Sequence, residues 1–70
     1  MKTARVKYGL MVAGRMVYKG TEVEVLDAES DRVQKVWPGI QDRMTSQAVV
    51  VQFSHLSFPT LAHIDELEFN

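Results

Sequence analysis

The chain has 70 residues, of which 46% are hydrophobic and 24% charged, with a formal net charge of −1 and no cysteine. This length predicts one domain with a small core, and the lack of cysteine excludes disulfides and thiolate metal sites. No run approaches the roughly 20 apolar residues of a membrane span and no secretory leader is recognisable, so we expect a soluble, cytoplasmic protein.

The charged residues are unevenly distributed along the chain. Residues 1–21 contain five basic residues and no acid, whereas residues 22–70 contain nine acids and three bases. Such asymmetry is typical of a binding surface. Pairing of the basic segment with acidic strands inside the fold is the competing explanation, because an opposite-charge pair across strands contributes roughly 0.2–1 kcal/mol.

The first twenty residues carry the pattern of a hairpin. Residues 4–12 alternate apolar and polar side chains, which predicts a half-buried strand with Tyr8 on its inward side. Ala13-Gly14 predicts a tight turn, since glycine adopts positive φ easily. Residues 15–18 then predict a short second strand, with Tyr18 also inward and packed in the core.

The spacing of apolar residues changes between the next two segments, from that of a strand to that of a helix. Residues 21–27 alternate cleanly and predict a strand with its valines inward and its glutamates outward. Apolar residues at helical spacing predict a short helix within residues 28–37, capped by Asp27 or Ser30. Pro38 ends this helix, because the residue before a proline is pushed out of the helical region. Residues 38–47 are mostly polar and are expected to form a mobile loop.

The C-terminal third contains the most strongly apolar strand. Residues 48–53, apart from Gln52, are β-branched or apolar on both faces, which predicts the central strand of a sheet. Residues 54–59 predict a turn and residues 60–63 a further strand. Residues 64–67 have the spacing of a helical or 3₁₀ turn, after which Glu68-Phe69 returns to the sheet. The fold class expected is mainly β: a single domain over residues 1–70 that forms a small five-stranded barrel with one short helix or helical turn. The basic hairpin would occupy residues 1–20 and the barrel body residues 21–70.

A resemblance supports the same architecture. The segments Lys19–Val25, Val49–Phe53 and His63–Glu68 resemble the SH3-like small barrels, in which an alternating valine strand, an apolar strand and a closing turn follow one another. Among these, the chain is similar to small accessory subunits of cyanobacterial and plastid electron-transport complexes. The basic hairpin and the helical segment 28–37 depart from that pattern. The resemblance implies a non-catalytic module that docks on a larger complex.

No constellation of residues predicts catalysis. His55, His63, Asp65 and Glu66 could supply metal ligands in principle, but their spacing matches no established metal motif. No nucleophile elbow, phosphate-binding glycine loop or converging pair of carboxylates is present. We therefore expect a protein that is not an enzyme and uses no cofactor and no metal.

Two groups of residues are candidates for binding a partner. The first is aromatic and consists of Trp37 and Phe58, because tryptophan is enriched at interface hot spots. Packing of Trp37 against the barrel is the competing interpretation. The second group is the basic side chains of the hairpin. These are Arg5, Lys7, Arg15 and Lys19.

The function that follows is a non-catalytic accessory module that binds a larger protein or complex. Exposed strand edges and a small core also favour a homo-oligomer. The main alternative is a small nucleic-acid-binding barrel that uses the basic hairpin. The acidity of the remaining chain argues against it, because acidic residues repel the phosphate backbone. A small effector that inhibits a phage or host protein is a further alternative.

Overall fold

The computed structural model describes residues 2–70. Five antiparallel strands form a curled sheet, a half-barrel, in the order β6-β5-β4-β1-β7, and a separate hairpin joins β2 to β3. One short helix, α1, and two 3₁₀ turns connect them. The elements are β1 (Lys2–Val6), β2 (Leu10–Val12), β3 (Arg15–Val17), β4 (Glu22–Leu26), α1 (Asp31–Gln34), a 3₁₀ turn (Ile40–Asp42), β5 (Ala48–Gln52), β6 (Thr60–His63), a second 3₁₀ turn (Ile64–Glu66) and β7 (Leu67–Phe69).

The concave side of the sheet holds the main hydrophobic core. Alternate residues of each strand point into it, as the period-two pattern of the sequence requires. The β2–β3 hairpin lies over this side and contributes the buried Val17 and the partly buried Leu10 and Val12. The buried members of the core are Ala4, Val6, Val17, Val23, Val51, Phe53, Ala62 and Leu67.

The convex side of the sheet is covered only in part. Val50 of β5 is buried there against Val33 of α1 and Ile40 of the first 3₁₀ turn, forming a second, smaller cluster. Since Val51 faces the main core, β5 is buried on both sides, as its run of valines predicted. The segment that contains α1 therefore acts as a cover for one end of the sheet.

The predicted strand over residues 4–12 is wrong in its length. The structure has two strands separated by a bend at Lys7–Gly9. The N–H of Lys7 donates to the Glu66 carbonyl at 2.9 Å, and beyond that bond the chain leaves the sheet. The bend interrupts the alternation, and Tyr8 is exposed, although Leu10 and Val12 beyond it face the core again. Tyr18 is also exposed, because Val17 takes the inward position next to it.

Three further expectations need correction. The central strand of the sheet is β4 and β5 lies beside it, because β1 and β7 extend the sheet on the far side of β4. The helix spans only Asp31–Gln34, with Ser30 at its N-cap position but without a side-chain hydrogen bond. The predicted loop after Pro38 contains the first 3₁₀ turn, whose Ile40 is buried under the sheet.

The remaining elements match the sequence analysis. The mainly β architecture is confirmed, as are the strand at Thr60–His63, the 3₁₀ turn that follows it and the return of the chain to the sheet in β7. Within residues 2–70, no helix has the length and hydropathy needed to cross a membrane.

Candidate interaction surface

The β2–β3 hairpin presents its outer side to solvent. Ala13 and Gly14 have φ values of +50° and +78°, which is the backbone of a two-residue type I′ turn. This turn places Met11 directly opposite Met16 in the ladder. Leu10 and Val17 point toward the core, so the two methionines point outward, and Met11 is 68% exposed. We call Met11, Met16 and Tyr18 the hairpin face.

Tyr18 completes the hairpin face, and Tyr8 lies next to it. Tyr18 follows β3 and is 73% exposed, the highest value among the large hydrophobic residues of the described chain. Tyr8 is 50% exposed and precedes Gly9, where an added Cβ would lie 3.4 Å from the Met16 sulfur. Tyr8 therefore lies beside the hairpin face. Tyrosine and methionine are both enriched at protein interfaces, the latter because its flexible thioether adapts to varied partners.

Basic side chains border the hairpin face at one end. A surface hollow of about 410 Å³ is lined by Arg5, Lys7, Tyr8 and Lys19, with Glu68 as its one acid. The backbone holds its two walls together, since the N–H of Gly20 donates to the Val6 carbonyl at 2.8 Å. The hollow thus combines three cations, one anion and an aromatic ring.

Arg5 and Arg15 differ from the two lysines in their surroundings. Arg5 lies opposite Glu22 on one neighbouring strand and Glu68 on the other, so an acidic residue flanks it on each side in the sheet. Arg15 lines a different hollow, together with Tyr18 and His55. Arg5, Lys7 and Lys19 are therefore grouped around one hollow, whereas Arg15 lies at the other end of the hairpin face.

Trp37 and Phe58 lie in a second exposed region. The Trp37 indole N–H donates to the Pro59 carbonyl at 2.8 Å, which fixes Trp37 against the chain segment that contains Phe58. The same ring borders a small hollow of about 150 Å³ together with Ile40 and Leu61. Trp37 thus serves as a packing anchor and remains partly exposed. We call Trp37, Phe58 and Leu61 the Trp37 patch.

The predicted binding residues do not form one site. The hairpin covers the concave side of the sheet. Trp37 belongs to the cover of the convex side, where its neighbour Leu61 lies opposite Val50 in the ladder. Met11 and Met16 are not among the binding residues predicted from the sequence. The alternation places Met11 on the outward side of its strand, and a two-residue turn at Ala13-Gly14 places Met16 opposite Met11. These two features of the sequence are sufficient to predict an exposed methionine pair.

The two histidines have local structural roles. His63 Nδ1 accepts a hydrogen bond from the Asp65 N–H at 3.1 Å, and Glu66 Oε1 accepts one from the His63 N–H at 2.9 Å, which together cap the second 3₁₀ turn. His55 Nε2 lies 3.1 Å from the Val12 carbonyl oxygen. Across residues 2–70, no three His, Asp or Glu side chains are grouped as metal ligands.

Comparisons with protein-family models, curated proteins and solved structures found no match to this chain. The resemblance to SH3-like accessory subunits therefore stays a prediction. The candidate surface is defined by exposure, charge and backbone geometry alone. Those three properties are the basis of the function proposed below.

Proposed function

We propose that the protein is a non-catalytic interaction module that docks on a larger protein, with the hairpin face as its contact surface. One observation carries the proposal: Met11 and Tyr18, the two most exposed large hydrophobic residues within residues 2–70, lie in a segment that has five basic residues and no acid. Clustered exposed apolar side chains are typical of an interaction site. The partner expected is a protein with an acidic rim around an apolar contact.

We also propose that the half-barrel belongs to the SH3-like class and that the protein acts in the cytoplasm. The five-stranded curled sheet and the 3₁₀ turn that precedes its last strand support the first proposal. The lack of cysteine is compatible with the second. Docking on a larger complex is the role that the resemblance to accessory subunits implies.

A matched pair of variants tests the docking surface. The tagged protein captures its partner from a lysate of the source cell, and the capture is repeated with Met11→Ala/Tyr18→Ala and with Phe58→Ala. We expect the double variant to lose the partner and Phe58→Ala to retain it, because Phe58 belongs to the Trp37 patch. The opposite result would move the docking site to that patch, and retention by both variants would contradict the proposal.

Binding of single-stranded nucleic acid is the second candidate function. The observation that favours it is the exposure of Tyr8 and Tyr18 beside Lys7 and Lys19, because bases stack on exposed aromatic rings near cations. Few cations are available, however, and the rest of the chain is acidic. Phosphate contacts are lost steeply with salt. Capture that disappears at high salt or after nuclease treatment would favour this function over protein docking.

A further inference from the structure

Two strand edges face each other across a groove. β6 is an outer strand of the sheet, and β2 pairs with β3 on one side only. Between them lies a groove of about 270 Å³, with Leu10–Ala13 on one wall, Leu61 and Ala62 on the other, and Phe53 among its lining residues. A liquid water molecule occupies about 30 Å³, so the groove has room for several atoms of polypeptide.

The wall formed by β6 offers an unpaired backbone group. The N–H of Ile64 donates to the Gln47 carbonyl at 2.8 Å, so this pair is hydrogen-bonded. Hydrogen-bonded and non-bonded pairs alternate along an antiparallel ladder. Ala62 is therefore hydrogen-bonded to β5, whereas the backbone N–H and carbonyl groups of Leu61 and His63 point away from β5. The outward N–H of His63 is used by Glu66, whereas Leu61 has no such partner among the described backbone bonds between elements.

The wall formed by β2 offers the same groups. In a two-residue type I′ hairpin, the residues that flank the turn form a hydrogen-bonded pair, here Val12 and Arg15. The next pair is non-bonded, so the N–H and carbonyl of Met11 point away from β3. No backbone bond between elements of the described chain involves Met11. The groove therefore has a free donor and a free acceptor on each side.

We propose that one extended segment of the partner protein enters this groove, pairs with Leu61 of β6 and Met11 of β2, and completes the barrel. Only a second polypeptide strand supplies alternating N–H and carbonyl groups at the spacing that both walls require. The proposal rests on the protein-docking function and adds to it the conformation of the partner. A small apolar side chain of the segment would face Phe53 and Ala62.

A second copy of this chain does not fit the groove. The β6 edge of any copy is faced by its own hairpin, so two such edges cannot approach each other. All seven strands of residues 2–70 already belong to the sheet or the hairpin, which leaves no spare strand to donate. The other outer strand, β7, is a poorer acceptor because Glu68 and the Lys2 ammonium, 5.7 Å from the Phe69 ring, place charge along it.

A display library of random 12-residue peptides, selected on the full chain, provides the probe. Selected peptides are then measured against Leu61→Pro, which removes the free N–H without cutting a bond to β5, and against Leu61→Ala, which keeps it. We expect Leu61→Pro to bind about tenfold more weakly or worse, and Leu61→Ala to bind within about twofold of the parent chain. Met11→Pro and Met11→Ala form a second pair for the other wall.

Two further measurements keep the test decisive if a proline variant fails to fold. Each selected peptide is synthesised with alternate amides N-methylated, in both phases, which removes its donors from one edge or the other. We expect each phase to abolish binding, because each removes the donors that face one of the two walls. We also expect the exchange of the Leu61 amide with solvent to slow when the unmodified peptide binds. Equal binding by Leu61→Pro, indifference to N-methylation in either phase, or the absence of any selected binder would overturn the inference.

The outcomes separate this inference from the docking proposal. If partner capture depends on Tyr18 but is unchanged by Leu61→Pro, the hairpin face remains the docking surface and strand pairing is refuted. If the selected peptides depend on Leu61 while capture is unaffected by Met11→Ala/Tyr18→Ala, the groove stands and the hairpin face is refuted. Self-association of the free protein through β6, detected by sedimentation, would also contradict the choice of a partner segment.

Discussion

Replacing Val50 by aspartate tests the packing on which the whole fold depends. Val50 is 1% exposed, and its side chain lies between the sheet and the segment that contains α1. Its buried neighbours are Val33 and Ile40, and the partly buried side chains around them are also apolar. A carboxylate at this position would be buried without a hydrogen-bond donor or a counter-charge from that cluster.

The expected loss of stability exceeds what a small domain can tolerate. Burial of a valine side chain contributes about 1.5–3 kcal/mol, and this is lost in Val50→Asp. The penalty for an unpaired buried charge adds several kcal/mol. At roughly 0.05–0.15 kcal/mol per residue, a chain of this length has about 4–10 kcal/mol of stability in total. We therefore predict that Val50→Asp is largely unfolded at neutral pH.

Leu61→Asp is the matched control. Leu61 lies directly opposite Val50 in the ladder and on the same side of the sheet, but it is 45% exposed. Its carboxylate would remain in water, and we expect a loss of about 1 kcal/mol or less. Circular dichroism and urea titration of both variants measure the difference. A Val50→Asp protein that folds, with a loss no larger than that of Leu61→Asp, would refute the assignment of β5 as a strand buried on both sides.

Other substitutions probe single features. Gly14→Ala places a side chain at φ +78° in the hairpin turn and should lower the free energy of unfolding by about 1 kcal/mol in urea titration, so an unchanged midpoint would argue against the type I′ turn. Trp37→Phe keeps an aromatic ring but removes the hydrogen bond to Pro59, and a loss of about 1 kcal/mol is expected; a thermal melt that does not shift would show that this bond is not formed. Arg32→Ala removes the exposed ion pair with Glu24 and should change stability by less than about 1 kcal/mol, so a larger loss would assign Arg32 a packing role.

Local patterns predicted much of this fold. The β-branched run of β5 and the regular alternation of β4 predict strands, because side-chain period and branching are properties of neighbouring residues. The turn at Ala13-Gly14 is predictable for the same reason. The position of β5 in the sheet is not, because strand order depends on β1 and β7, which are far apart in sequence and adjacent in space.

The candidate surface was harder to predict because it depends on one bend. Tyr8 continues the alternation of β1 in sequence, and nothing local indicates that the chain leaves the sheet at Lys7. The bond from Lys7 to Glu66 links segments separated by nearly the whole chain. Once the chain bends there, Tyr8 becomes exposed, and the basic residues around it form a rim for an apolar surface. The charge asymmetry of the sequence points to the segment that carries the candidate surface, but it does not indicate the exposed methionines and tyrosines of that surface.

Oxidation of methionine tests the central claim, that the hairpin face is the docking surface. Exposed methionines convert to sulfoxides faster than buried ones. Met44 is a built-in control because it is partly buried against the cluster of Val33, Ile40 and Val50, away from the hairpin. The free tagged protein and its captured complex are each treated with peroxide, and the oxidation of each methionine is quantified by mass spectrometry. We predict that the complex protects Met11 and Met16 and leaves the rate at Met44 unchanged. Equal oxidation of Met11 and Met16 in the free and captured protein would contradict the claim.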